Sequence, residues 1–144
     1  MRRLALASLL AALALVPELG SAQVATNPAV SWAIQHQPAA AAAATISRAA
    51  VAGVRHVATS VTVCLTATAA QTGLAFNLRD GATGAGTILW TVKLSGAAST
   101  NACVALPVHI AGSPNTAMTL ESASAPAATN FATVALTGYE VAFQ

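Results

Sequence analysis

His56-Val57-Ala58-Thr59-Ser60-Val61-Thr62-Val63-Cys64-Leu65-Thr66-Ala67 is the stretch that decides the fold. Val57, Val61, Val63 and Leu65 fall on one side of an alternating pattern, with Thr59 in phase. His56, Ser60, Thr62, Cys64 and Thr66 fall on the other. Successive side chains of a strand point to opposite faces, so period two marks a half-buried strand. The β-branched content strengthens that reading.

The same pattern recurs toward the C-terminus. Leu74, Phe76 and Leu78 alternate with Asn77 and Arg79, and Ile88, Trp90, Val92 and Leu94 with Thr91 and Lys93. Ala102, Val104, Leu106, Val108 and Ile110 form another run, in which Pro107 calls for an edge position or a bulge. Met118 and Leu120 alternate with Thr119 and Glu121. Val134 and Leu136 give way to Tyr139, Val141 and Phe143, and the slip of phase at Gly138 is the mark of a bulge. A weaker strand spans Thr45 to Val51. Asp80-Gly81 with Gly84 and Gly86, Ser95-Gly96, and Gly112-Ser113-Pro114-Asn115 supply turns between the runs. Short strands separated by regular turn signals predict an all-β chain. One polar face per strand predicts an antiparallel β-sandwich, jelly-roll-like or Ig-like, of seven or eight strands over residues 45–144.

The N-terminus reads differently. Arg2 and Arg3 precede an unbroken apolar run, Leu4 to Val16, and Gly20-Ser21-Ala22 supplies small residues beyond it. That order is a secretory signal peptide, residues 1–22, with Gln23 as the new N-terminus. The run is too short to be a membrane anchor, which needs about 20 residues, so no stable membrane span is expected after cleavage. Residues 23–44 have no clear period. They carry Pro28, Pro38 and the alanines Ala39 to Ala44, and are expected to be an irregular arm or linker. Trp32 and Ile34 would dock that arm on the domain or on a neighbour, which makes Trp32 a candidate partner contact.

After cleavage the cations are Arg48, Arg55, Arg79 and Lys93, and the anions Asp80, Glu121 and Glu140. So balanced a chain has no basic stripe for nucleic acid. Charged residues make up 7% of the whole sequence, against about a quarter in ordinary soluble domains. Charge-poor surfaces associate readily. Life in an assembly and an alanine-rich, high-GC coding bias account for this equally well.

Cys64 and Cys103 are the only cysteines. In an exported chain a single disulfide is the expected pairing, on an outer sheet face between neighbouring strands; two unpaired thiols are the alternative. Without CxxC spacing they do not point to zinc.

Groups for catalysis are scarce. Glu121 and Glu140 sit near turns and read as solvated surface rather than a glycosidase pair. Asp80 precedes Gly81, where its carboxylate most simply caps backbone N–H groups. No G-x-S-x-G elbow is present. His36 falls in the arm, and His56 and His109 fall on outward phases, where isolated histidines are ordinary surface. Gly81, Gly84 and Gly86 lack the Lys-Ser/Thr of a phosphate loop. Trp90 is in core phase. No catalytic residue, metal site or cofactor is expected.

Ala52-Gly53-Val54-Arg55-His56-Val57, then Leu78-Arg79-Asp80-Gly81-Ala82-Thr83-Gly84-Ala85-Gly86-Thr87-Ile88-Leu89-Trp90, and Ile110-Ala111-Gly112-Ser113-Pro114-Asn115-Thr116-Ala117-Met118-Thr119-Leu120 together carry a resemblance. Residues 45–140 resemble small β-sandwich proteins of tailed phages and prophages. The resemblance implies a virion component, such as a decoration or fibre-associated module. The export signal departs from that pattern and implies instead a cellular protein secreted to the periplasm or exterior. The expected function is a non-enzymatic structural or adhesive module, acting through its surface by self-association or with other structural proteins. The alternative is a small-ligand or glycan-binding module, with loops Asp80 to Thr87 and Gly112 to Thr116 as its rim.

Overall fold

A computed structural model describes residues 30–143; the expected signal segment and residues 23–29 lie outside them. The strands are β1 (Val30–His36), β2 (Thr45–Arg48), β3 (Val54–Ala67), β4 (Gln71–Asp80), β5 (Thr87–Gly96), β6 (Thr100–Ala111), β7 (Met118–Ser122) and β8 (Phe131–Ala142). They form two four-stranded sheets, sheet I in the order β1-β8-β3-β6 and sheet II in the order β2-β7-β4-β5. Every neighbouring pair is antiparallel. Apart from the β4–β5 hairpin, each strand passes to the opposite sheet. The expected sandwich is therefore a jelly roll rather than an Ig fold.

The alternation explains the core. Val61, Val63, Leu65, Val134 and Leu136 of sheet I face Ile46, Leu74, Phe76, Leu78 and Leu120 of sheet II across one apolar seam. Each such side chain contributes about 1.5–3 kcal/mol on burial. Trp90 joins from β5, as its phase predicts.

Two bulges change the phase at strand ends. On β3, Ala58 opposes Gly138 and Ser60 opposes Thr137, so Thr59 is an inserted residue. Beyond it the faces exchange. His56 and Ala58 turn inward, and His56 is 1% exposed instead of lying on the outer face. Val57 turns outward. The slip expected at Gly138 thus belongs to the facing strand. β8 itself keeps its period, burying Ala132, Val134, Leu136 and Gly138 in turn. Tyr139, Val141 and Phe143 consequently lie on the outer face, where Phe143 is 51% exposed. On β5, Leu78 opposes Trp90 and Arg79 opposes Ile88, so Leu89 is the extra residue. Ile88, expected in the core, is 48% exposed. Pro107 sits on edge strand β6 opposite Ser60 at the β3 bulge, so both readings of that proline hold.

The expected arm is partly strand. β1 pairs with β8 over its whole length and places Trp32 opposite Gly138. Trp32 is 8% exposed and belongs to the core. Its candidate role as a partner contact is corrected: the indole docks on its own domain. A β-carbon at Gly138 would lie 2.2 Å from the Val57 carbonyl oxygen and 2.5 Å from the indole, so only glycine lets Trp32 lie against β8.

Cys64 and Cys103 are directly opposed on β3 and β6 and form a disulfide on the outer face of sheet I, with Cα atoms 4.2 Å apart. Denatured, unreduced protein is expected to yield no reactive thiol, and reduction to lower stability by about 3–4 kcal/mol; two titratable thiols per chain would refute the pairing. Gly138→Ala is expected to destabilise by about 1–3 kcal/mol through overpacking, read as a lower melting temperature.

Candidate functional site

The carboxylates are committed to the fold. Glu121, on the outer face of sheet II, is 3% exposed. Its carboxylate accepts from Arg79 Nε across β4 and from the Gly84 amide at 2.8 Å. The β4–β5 connection therefore folds back over β7, where Thr119 Oγ1 donates to the Gly81 carbonyl at 2.7 Å. Glu121 is a buried tie between loop and sheet, not the solvated surface residue its place beside a turn implied.

Asp80 caps, as its turn position predicts, but across to another connection. Its carboxylate accepts from the Ser113 amide at 2.9 and 3.0 Å and from Ser113 Oγ at 2.6 Å. The loops considered as a ligand rim are thus one folded onto sheet II and one held to β4. A shallow depression lies elsewhere, lined by Gln35, His36, Gln37 and Thr133.

The third cluster closes one end of the seam. Glu140 on β8 is bound by Arg48 of β2, through Nε at 2.8 Å and through Nη2. His56 donates from Nε2 to the Ala49 carbonyl at 2.8 Å, and its Nδ1 lies 3.8 Å from the Glu140 carboxylate. Trp32 meets His56 edge-on with ring centroids 6.2 Å apart. Here Arg48–Glu140 joins the sheets where the apolar layer ends.

These positions bear on chemistry. Glu121 and Glu140 lie on different sheets, each held by its own arginine, so they do not flank a common site. His56 faces inward while His109 faces outward beside Tyr139, with ring centroids 6.3 Å apart; the bulge puts the two imidazoles on opposite sides of sheet I. Among the described residues no group of three or more His, Cys, Asp or Glu is placed to hold a metal ion.

What remains is surface, and it is asymmetric. The outer face of sheet II carries Arg79, Glu121 and Lys93 under and beside the folded loop. The outer face of sheet I carries small uncharged residues in cross-strand rows: Ala33, Thr137, Ser60 and Pro107 in one, Gln35, Ala135, Thr62 and Ala105 in the next. Thr133 lies beside the disulfide in a third. The sequence already points to a charge-poor sheet face that packs on another copy, but not to which sheet carries it; that follows from the lack of Asp, Glu and Lys at the outward positions of β1, β3, β6 and β8 once the strands are ordered.

No protein-family model matches the chain, and no curated protein matches it. A solved structure described as "Bacillus endospore appendages form a novel family of disulfide-linked pili" is similar over 81% of this chain and 91% of that chain, with 15% identity and a TM-score of 0.32. A TM-score that low carries no argument about function. The resemblance to phage β-sandwich proteins finds no support in these comparisons.

The two arginine–glutamate pairs differ in depth. The Arg79 side chain is 16% exposed and the Arg48 side chain 36%. Glu121→Ala is expected to destabilise by about 3 kcal/mol, since it strands a buried cation. Glu140→Ala is expected to cost about 1 kcal/mol, since solvent screens Arg48. Urea denaturation checks the order, and equal losses would contradict it.

Proposed function

We propose that this chain is a non-enzymatic structural module, exported from the cytoplasm, that works by packing against copies of itself or other structural proteins. The observation that carries this reading is the commitment of Asp80, Glu121 and Glu140 to internal hydrogen bonds or ion pairs. With His56 buried and both cysteines paired, the described residues retain few reactive side chains free to meet a substrate. A catalytic crevice needs such groups converging on one point. An intrachain disulfide fits an oxidising compartment, in line with the signal-like first 22 residues. Among the described residues no helix is long and apolar enough to cross a membrane. The near-neutral charge gives nucleic acid nothing to hold.

Because both cysteines are used within the chain, association is noncovalent. Light scattering on the purified protein is expected to give a mass of at least two chains, which denaturant alone returns to one chain without reductant. A monomer across the accessible concentration range would overturn the reading. Mass spectrometry of the exported protein is expected to show Gln23 as its first residue; retained Met1 would refute the cleaved signal.

A further inference from the structure

We propose that the outer face of sheet I is the surface that receives a second copy of this chain. The inference rests on the self-association reading above and assigns that association to one face.

Charge singles out this face. Seven charged side chains lie among the described residues, and only Arg55 belongs to the outer face of sheet I. It sits at one end, its guanidinium 5.6 Å from the centre of the Phe143 ring. The middle of the face is Ala, Ser, Thr, Gln35, Pro107 and the disulfide, and uncharged Tyr139, Val141 and Phe143 lie with His109 toward the Arg55 end. A partner recognised by charge finds no complement there. A second copy does, since desolvating this surface strips water from no buried ion. The hydroxyls of Ser60 and Thr62 both donate and accept, and Thr133 and Thr137, bonded within the chain to Gln37 and Thr59, keep acceptor capacity, so identical faces can satisfy one another. Small side chains also keep the sheet level enough for close face-to-face approach. Sheet II offers no such surface, because its outer face carries the exposed Lys93 and is crossed by the Gly81–Gly86 loop, which covers the Arg79–Glu121 pair.

Area agrees. Four strands spaced about 4.8 Å apart and about ten residues long present a footprint of roughly 650 Å², near the roughly 800 Å² per partner that a specific interface buries. The pairing is isologous, each copy using the same patch. The aromatic end, Tyr139 with exposed Val141 and Phe143, supplies the apolar anchor that such an interface needs.

Thr62→Glu, at the centre of the face, tests this on the full chain, with Lys93→Glu on sheet II as control. Thr62→Glu is expected to melt cooperatively and to associate at least about a hundredfold more weakly, since like charges would meet across the interface. Lys93→Glu is expected to keep the wild-type mass. A folded Thr62→Glu protein with wild-type mass would overturn the assignment while leaving self-association intact. A monomeric wild-type protein would remove both. Should Thr62→Glu fail to fold, Ala105→Glu on the edge strand is read by the same two outcomes.

Discussion

The fit of Trp32 against Gly138 governs how this sandwich closes. β1 is an edge strand, held along one side by β8 alone. Its indole fills the end of the apolar seam only because β8 has no side chain at that position. Thr59 sets up the contact from the other side. By inserting one residue into β3 it brings His56 to the inner face beside the indole. A single inserted residue thus converts the end of an apolar layer into a small polar cluster, with Arg48 and Glu140 spanning the sheets.

That arrangement explains how so few charges suffice. A chain rich in Lys and Glu keeps most of them in water, where each exposed pair contributes little. Here the carboxylates are placed where the fold needs a tie. Asp80 holds the β6–β7 connection to β4, Glu121 holds the β4–β5 loop to β7, and Glu140 joins the sheets. Only Glu121 is buried, where the Gly84 amide and Arg79 would otherwise lack an acceptor and a carboxylate stabilises most; Asp80 and Glu140 tie elements nearer the solvent. The same economy leaves little charge to keep the surface apart from other surfaces.

Much of the architecture was legible in the sequence, because burial in a two-layer sandwich imposes period two. β2 to β8 follow from alternation and turn residues, and the cysteines fall on the outward phase where their strands pair. β1 was legible in principle, since Val30, Trp32 and Ile34 alternate with Ser31, Ala33 and Gln35. Flanking Pro28 and Pro38 and the alanine run made it look like linker. The phase reversals were not legible. A bulge residue such as Thr59 or Leu89 is an ordinary strand former, and only the register of neighbouring strands reveals that it is extra. Gly138 reads locally as a bulge, but β8 keeps its period there; the glycine answers a tertiary approach by Trp32, about a hundred positions earlier, for which local pattern holds no signal. The burial of Glu121 likewise depends on a loop folding back, which alternation cannot encode.

A charge-poor sheet face is legible in the sequence, but which sheet carries it is not. Each strand of sheet I contributes only two to four small outward residues, and no single strand looks unusual. Their meaning arises when the order β1-β8-β3-β6 sets Ala33, Thr137, Ser60 and Pro107 in one row. Charge on an exposed sheet face normally keeps sheets from stacking on one another. Sheet II is guarded by the exposed Lys93 and by the loop folded over the Arg79–Glu121 pair, and sheet I has neither across nearly its whole width. The alanine-rich composition alone does not account for the difference, because coding bias acts on both sheets alike. A sandwich that charges one face and leaves the other bare distinguishes between them, and stacking on the bare face is the physical use to which that distinction fits.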